Sequence, residues 1–226
     1  MSSHNEVDFG TAGGSGKREY LRRRKKREET VRAAHPRIGG LLIKLQDEPQ
    51  HEKAWATGAI GEEQLAACLA KRSPQTLVLN DRCMPDSRAN IDHLAVAASG
   101  VYVIDTKRYK GKIEVRKPKS SDQATLFIAG RCKSKLVDGL AGQVKAVHAA
   151  LDLIEKEVPV FGCFCFVNPE KQAGGSAMPL FRTLTVGNFD LLYPRRLAKR
   201  LNKEGPLTAE ERLVIAEALC ELFPAA

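Results

Sequence analysis

Apolar residues in the centre of the chain form two short blocks that are separated by a turn. The first block, residues 90–97, reads Asn-Ile-Asp-His-Leu-Ala-Val-Ala, and the second, residues 101–107, reads Val-Tyr-Val-Ile-Asp-Thr-Lys. Short blocks rich in β-branched and aromatic residues predict strands, and the Ser99-Gly100 pair between them is a turn signal. The pattern therefore predicts a β-hairpin.

Apolar residues recur every three or four positions in two longer segments, and this spacing predicts helices. One helix is predicted over residues 55–72, with Thr57 as its N-cap, and the clearest one over residues 136–155. The further predictions are strands at residues 76–80, 113–118, 126–129, 158–167 and 184–186, and helices at residues 191–201 and 208–223. This order predicts an α/β fold with a mixed β-sheet flanked by helices.

The last predicted helix carries both a start signal and an apolar stripe. Thr208 and Glu211 have the spacing of a capping box. Leu213, Leu219 and Phe223 share one side with Ala216, and we expect this side to pack on the sheet.

Ionisable residues interrupt the hairpin where strand interiors are normally apolar. A two-residue loop at Ser99-Gly100 sets Asp92 opposite Lys107. Because opposed residues share a face and side chains alternate along a strand, Asp92, Asp105 and Lys107 are predicted to project from one side. A three-residue loop would turn Asp92 to the other face.

Two carboxylates beside an ammonium suit a hard cation such as Mg²⁺, which takes oxygen ligands and keeps several waters. Such a cation lowers the pKa of water and offsets charge on a phosphate. We therefore expect Asp92 and Asp105 to bind the metal and Lys107 to hold the attacking water. The alternative is a structural ion pair between Asp105 and Lys107.

A third carboxylate is expected from the first helix. Glu62 lies three residues before Leu65 and seven before Leu69, so it shares their inward face, whereas Glu63 points toward solvent. Glu62 is the better candidate for reaching the metal, directly or through water. The alternative is that acidic residues in this turn complement the helix dipole.

These residues also resemble a known family. The segments Gly58-x-x-Gly61-Glu62, Ala89-Asn-Ile-Asp92-His and Gly100-Val-Tyr-Val-Ile-Asp105-Thr-Lys107 resemble the nuclease-related domain, NERD, of the PD-(D/E)xK restriction-endonuclease-like superfamily. The resemblance implies a restriction-endonuclease-like core and a DNA nuclease that uses Mg²⁺, with Mn²⁺ as a substitute.

The resemblance also implies a role for Gln143 on the predicted helix at residues 136–155. In related nucleases a glutamine from the equivalent helix reaches the active site, and Gln143 matches in type and placement. Packing at the edge of the core is the alternative for this side chain. His93 points away from Asp92 by strand parity, which favours a structural histidine over a general base. Asp86 lies in a polar loop, so we prefer Asp92 as the ligand.

The net charge of +9 favours an anionic partner, and DNA is expected, with RNA left open. Arg108, Tyr109, Lys110 and Lys112 follow the second strand of the hairpin and could grip a phosphate backbone, although charged strand ends are also ordinary solvated surface. Residues 17–27 hold eight basic side chains and could form a helix ending near His35-Pro36. This segment could bind phosphates or an anionic membrane, or be a solvated tail.

Composition and element order together predict the domain organisation and the location of the protein. We expect a basic, largely disordered arm over residues 1–50, the nuclease-like core over residues 51–170, and a strand-and-helix extension packed on it over residues 171–226. Six scattered cysteines without a Cys-x-x-Cys pair indicate a reducing, cytoplasmic location. The sequence predicts no membrane span and no small-molecule cofactor. The alternative to an enzyme is a catalytically inactive module of the same fold that binds nucleic acid or protein.

Overall fold

The predicted hairpin lies within a six-stranded sheet in the computed structural model of the protein. The structure describes residues 7–85, 87–117, 124–167, 177–179 and 182–226. The helices in those residues are α1 (Gly14–Ala34), α2 (Gly39–Leu45), α3 (Gln50–Arg72), α4 (Ser134–Leu153), α5 (Pro194–Leu201) and α6 (Ala209–Leu222). The strands are β1 (Leu77–Cys83), β2 (Asn90–Ala97), β3 (Gly100–Lys107), β4 (Ile113–Arg116), β5 (Thr125–Ile128), β6 (Arg131–Cys132), β7 (Val160–Phe166), β8 (Leu184–Val186) and β9 (Phe189–Leu192).

The main sheet is mixed, in the order β1-β2-β3-β7-β9-β8. The first three strands are antiparallel, β7 pairs parallel with β3, and β9 pairs parallel with β7. β8 closes the far edge antiparallel to β9. A parallel pair needs a long crossover, and the chain between β3 and β7 returns through α4. The predicted α/β class with a mixed sheet is confirmed.

Helices cover both faces of this sheet, which explains why β7 is almost continuously apolar. On one face α4 and α6 pack on β2, β3 and β7, with buried residues that include Leu94, Val103, Phe164, Leu140 and Leu219. On the other face α3 and α5 pack on the same strands, with buried residues that include Ala95, Ile104, Cys165, Leu65 and Leu201. β4, β5 and β6 form a separate three-stranded sheet. Residue 118, the predicted end of the strand at 113–118, and residues 119–123, the predicted loop of the hairpin, lie outside the described residues.

The N-terminal region differs from the expected disordered arm. Within residues 7–50 the chain forms α1 and α2, and α1 ends at Ala34, beside the predicted His35-Pro36 boundary. Arg27 Nε donates to both carboxylate oxygens of Glu52 at 3.1 Å, and Glu52 is buried at the base of α3. The disorder prediction is wrong for these residues because ion pairs and packing on α3 hold the helix. The division of the chain at residues 50 and 170 stays a prediction.

Basic side chains of α1 are partly neutralised within the helix itself. Glu19 accepts from Arg22 at 2.7 Å and from Arg23 at 2.5 Å, and Arg24 pairs with Glu28 at 2.9 Å. Pairs at these spacings support a helix that has little apolar surface. The count of positive residues therefore overstates the free charge of this segment.

Two helix starts were wrongly predicted. α3 begins at Gln50, after Pro49, so Thr57 lies inside the helix and is not its N-cap. Its first turns are polar and carry no apolar periodicity. The segment from residue 191 begins as β9, and α5 starts only at Pro194, where a residue without an N–H is favoured in the first helical turn.

α6 has the predicted capping box, with the Glu211 N–H donating to Thr208 Oγ1 at 3.2 Å and the Thr208 N–H donating to Glu211 Oε2 at 2.8 Å. The predicted stripe is wrong at Leu213, which is 42 % exposed. Ile215 is fully buried in its place, and Leu219 and Phe223 are buried as expected. No helix in the described residues is long and apolar enough to cross a membrane.

The orientation of α6 gives a matched test. Leu219→Ala removes a fully buried side chain and should lower the free energy of unfolding by about 2–5 kcal/mol, whereas Leu213→Ala should cost less than about 1 kcal/mol. Urea unfolding of both variants measures the difference. Equal losses would mean that α6 does not pack with this face toward the sheet.

Candidate functional site

The register of the β2–β3 hairpin decides which ionisable groups meet. Ala97 pairs with Gly100, so the two-residue turn is Ala98-Ser99, one position earlier than predicted. Continuing this register sets Asp92 opposite Asp105, and the predicted pairing of Asp92 with Lys107 is wrong. The loop still has an even length, so the predicted face is unchanged.

Gly100 explains the shifted turn. It begins β3 with a φ of +137°, and a Cβ atom at this position would lie 2.4 Å from the carbonyl oxygen of Pro159. The next residue, Val101, donates its N–H to the same oxygen at 2.9 Å. Glycine is therefore needed where the segment before β7 comes close, rather than inside the turn.

β2 and β3 separate beyond the pair His93–Ile104, and we call this point the fork. β2 remains paired with β1 as far as Asn90, and β3 remains paired with β7 as far as Lys107. In the fork the Thr106 N–H donates to Asp92 Oδ2 at 2.7 Å. A side-chain carboxylate thus binds the amide of β3 where the β2–β3 ladder has ended.

The fork brings three of the predicted site residues together. Lys107 Nζ donates to Asp105 Oδ1, and the Asp92 carboxyl group lies close enough to Asp105 to raise its pKa. Asp105 is 8 % exposed, and the Lys107 side chain is 19 % exposed. Two acidic groups and one ammonium are therefore concentrated in a largely buried space.

Burial dominates the electrostatics of these groups. It raises the pKa of Asp105 to about 7, with the nearby charge of Asp92 adding to the rise and the ammonium of Lys107 opposing it. For Lys107, burial alone would lower the pKa, but the carboxylates of Asp105 and Asp92 outweigh it and raise the pKa. Lys107 is thus held as a cation, and Asp105 resists ionisation unless more positive charge arrives.

Glu62 reaches this group from α3, whereas Glu63 is exposed, as predicted. Burial raises the pKa of Glu62 to about 8, and the charges of Asp92 and Asp81 act in the same direction. Glu62 Oε2 accepts the N–H of Gly13 at 3.1 Å, from the turn that precedes α1. One helix turn before Glu62, Ala59 lies so close to Gly13 that a Cβ atom on Gly13 would come within 2.6 Å of the Ala59 carbonyl oxygen.

Gln143, in α4, contacts the start of β2. Its Nε2 donates to the carbonyl oxygen of Asn90 at 3.0 Å, and its Oε1 is buried without a hydrogen-bond partner among the described residues. Asn90 is two residues before Asp92, so α4 does approach the fork as expected. A buried acceptor with no donor is costly, which leaves Gln143 Oε1 available to a group that enters the site.

The remaining candidate residues have different surroundings from one another. His93 is fully buried with Nδ1 2.8 Å from Asn80 Oδ1, and burial lowers its pKa to about 4, as for a neutral structural histidine. Asp86 lies outside the described residues. Arg108 packs beside Gly61 on α3, next to Glu62. Tyr109 is half-buried beneath Lys133, whose Nζ lies 5.2 Å from the ring centre.

Lys110 and Lys112 are exposed on the strand exit, and Lys112 Nζ lies 2.8 Å from Glu114. The structure therefore places Arg108 nearest to the candidate site, while part of the remaining basic cluster is committed to local contacts. The four residues predicted to grip a phosphate backbone are therefore less suited to forming one continuous basic surface.

Sequence reasoning missed several residues near the fork. Asp81, one residue beyond the strand predicted at residues 76–80, lies in β1, and Gly13 and Ser15 belong to the arm predicted to be disordered. Asn90 was read only as part of the motif. No spacing rule connects these positions, because their contacts arise from tertiary packing: α1 packs on α3, its first turn meets Asp81, and β1 lies beside β2.

The donor set fits a hard cation, with one correction. Among the described residues, no group of three His, Cys, Asp or Glu side chains is arranged to hold a metal ion. Glu62 is turned toward Gly13, so it is not a direct third ligand as placed. Asp92 and Asp105 each retain free carboxylate lone pairs, and Mg²⁺ commonly binds one or two carboxylates and several waters.

The fold and site together define an α/β protein with a nuclease-like core. The family model NERD, nuclease-related domain, matches residues 57–167, about half of the chain. The chain belongs to this family, whose usual context is the PD-(D/E)xK superfamily, and it therefore has a nuclease-related function. No curated protein and no solved structure matches the chain.

The raised pKa values predict how stability depends on pH and cations. Glu62 and Asp105 favour their protonated forms in the folded state, so the stability they contribute is present at low pH and is lost as pH rises through about 7 to 8. His93, with its pKa lowered to about 4 by burial, opposes this trend only below about pH 6.5, where the unfolded imidazole takes up a proton and the buried one does not. Without divalent ions, the Tm should therefore fall between pH 6 and pH 9.

Mn²⁺ or Mg²⁺ should raise the Tm more at pH 9 than at pH 6, because a cation competes with protons for the same oxygens. Glu62→Gln should reduce the fall with pH, while the exposed Glu63→Gln should match the parent. Differential scanning fluorimetry measures both effects. A parent Tm that responds neither to pH nor to the cation would contradict this account.

Proposed function

We propose that the protein is a metal-dependent nuclease that hydrolyses DNA phosphodiester bonds. The observation that supports it best is the convergence of Asp92, Asp105 and Lys107 in the fork. Membership of the nuclease-related family supports the same reaction class. We further propose that it is an Mg²⁺-dependent endodeoxyribonuclease in which Mn²⁺ can substitute.

Each residue has a distinct part in the proposed reaction. Asp92 and Asp105 would hold the cation, which when bound offsets charge on the phosphate and lowers the pKa of water. Lys107, kept protonated by its carboxylate neighbours, would hold the attacking water and stabilise negative charge on the phosphate oxygens. Glu62 would act through water, and Gln143 would offer Oε1 to a polar group near Asn90.

The phosphate backbone would approach from the side of Arg108. This residue lies against Gly61 and is therefore adjacent to the helix turn that carries Glu62. Arg18, at the other end of this neighbourhood, lies 3.9 Å from Asp81 with a side chain that is 59 % exposed. Cations on both sides of an acidic site would attract a DNA strand without neutralising the site itself.

A second candidate follows from the contacts of the carboxylates. Asp92 accepts from Thr106, Asp105 from Lys107 and Glu62 from Gly13, so protein donors already satisfy part of each acidic group. A module that binds nucleic acid or protein through the fold without cutting would have such a satisfied site. It would bind DNA in a salt-sensitive way and show no metal-dependent cleavage.

Cleavage of supercoiled plasmid in Mg²⁺ tests the first candidate. Asp105→Ala and Lys107→Ala should each slow cutting by at least about 100-fold, since each removes a group that acts on the reacting phosphate. Chelation of the metal should abolish it. Glu63→Gln, a change of the exposed acid beside Glu62, is the control and should cut at the parent rate. Undiminished cutting by either site variant would refute the assignment.

DNA binding is measured separately, in proteins that also carry Asp105→Ala so that the DNA is not cut. Arg108→Ala should weaken DNA binding and reduce the slope of log K against log salt by about one, the loss of one phosphate contact. Arg116→Ala is the control, because Arg116 pairs with Glu114 and stacks on Phe127 in the second sheet. Fluorescence anisotropy over a salt series gives both slopes. Equal slopes for the two variants would exclude Arg108 from the interface.

A further inference from the structure

Asp81 is a buried acid in β1 that the proposed reaction does not use. It is 3 % exposed and has a φ of +50°, in the left-handed region that is rare for residues other than glycine. The β1–β2 ladder pairs Asn80 with His93 and Arg82 with Ile91, and Asp81 lies between these pairs. An unusual backbone conformation at a buried acid indicates that its surroundings hold it there.

Three donors satisfy the Asp81 carboxylate. Oδ2 accepts the N–H of Ser15 at 2.5 Å, and Oδ1 accepts the Ser15 hydroxyl at 2.7 Å and the Asn90 side-chain amide at 3.0 Å. The Arg18 guanidinium is 3.9 Å away. With both oxygens engaged by the protein, Asp81 is poorly suited to bind a metal itself, and its role must run through its partners.

The first partner leads to Glu62. Ser15 lies in the first turn of α1, and Gly13, two residues earlier, donates its N–H to Glu62. Gly13 has a φ of +72°, and a Cβ there would lie 2.6 Å from the carbonyl oxygen of Ala59, so this turn is pressed against α3. Fixing Ser15 on Asp81 therefore also fixes the donor that orients Glu62.

The second partner leads to Asp92. The Asn90 side chain donates to Asp81, while its carbonyl oxygen accepts from Gln143. Asn90 begins β2, two residues before Asp92. Asp81 thus connects the first turn of α1 with the strand that carries a proposed metal ligand, and α4 reaches the same strand residue from the other side.

We propose that Asp81 is a positioning residue that locks the first turn of α1 against the fork, and so sets the placement of Glu62 and Asp92. The role rests on the proposed nuclease function only for its effect on catalysis. Its effect on the N-terminal turn and on cation binding exists whether or not the protein cuts DNA. The N-terminal segment is then a structural part of the site.

Asp81→Asn is the informative variant. Asparagine tolerates the left-handed backbone, but its amide NH₂ would face a donor in place of one carboxylate oxygen, so at least one hydrogen bond is lost. Ser15→Ala removes only the hydroxyl contact, and Ser15→Thr restores a hydroxyl. Asp152→Asn, at an exposed position near the end of α4, is the matched control.

Variants of the whole 226-residue chain are compared by hydrogen exchange, Mn²⁺ binding followed by EPR, and DNA cleavage. Asp81→Asn should speed exchange of the amides at residues 13–16 by at least about 10-fold without changing exchange in β3. It should also weaken Mn²⁺ binding and lower kcat by about 10- to 100-fold each, with KM for DNA within about twofold. Ser15→Ala should shift the same readouts less, Ser15→Thr should recover them, and Asp152→Asn should match the parent.

Parent-like exchange at residues 13–16 together with parent-like Mn²⁺ affinity in Asp81→Asn would overturn the proposal. Faster exchange throughout the sheet would also overturn it, because Asp81 would then support the fold in general. If Asp81→Asn does not fold, the Ser15→Ala and Ser15→Thr pair decides by the same criteria. A parent that cuts no DNA refutes the proposed function, while exchange and Mn²⁺ binding still decide the role of Asp81.

Discussion

The separation of β2 from β3 is the constraint on which the candidate site depends. A continuous ladder would bury Asp92 and Asp105 opposite each other inside a sheet, where two like charges cannot both ionise at low cost. Because the ladder ends at His93–Ile104, the Asp92 carboxylate can bind the Thr106 N–H and Asp105 can pair with Lys107. β3 stays anchored by β7 beyond this point, so the opening costs no loss of order in the strand that carries two of the three groups.

Three helices then supply the remaining polar contacts around the fork, and each belongs to a different layer of the fold. α3 brings Glu62, α4 brings Gln143 to Asn90, and the start of α1 brings the Gly13 N–H to Glu62. The start of the 21-residue α1 also lies at Glu62 and Asp81, and its N–H donors oppose part of the rise that burial causes in the pKa of Glu62. The acidic site is therefore stabilised by backbone and amide donors whose positions depend on the packing of whole helices, rather than on one local loop.

The parity of the hairpin could be predicted from the sequence, but its register could not. Any even loop places Asp92 and Asp105 on one face, so the pattern was sufficient for the convergence of the acids. The partner of Asp92 depended on whether Gly100 lies in the turn or begins the strand, and that was decided by Pro159, which is distant in sequence. Glu62 was separable from Glu63 because helical periodicity is a local property. Asp81 and Ser15 could not be recognised in this way. A polar residue after an apolar block and a serine in a glycine-rich segment look the same in sequence whether they lie in an ordinary loop or at a site.

The same distinction applies to the basic N-terminal segment. A high density of lysine and arginine with few apolar residues is typical of disordered tails, yet α1 is ordered by glutamates at helical spacing and by the buried pair of Arg27 with Glu52. Because α1 is ordered, its N-terminal end has a fixed position, and there Ser15 binds Asp81 and Gly13 binds Glu62. A segment that composition assigns to solvent is thus one wall of the acidic site, and its charge acts at a fixed distance from the fork instead of on a mobile tether. Under the proposed function, the same helix would therefore contribute both to the attraction of a DNA strand and to the geometry of the carboxylates.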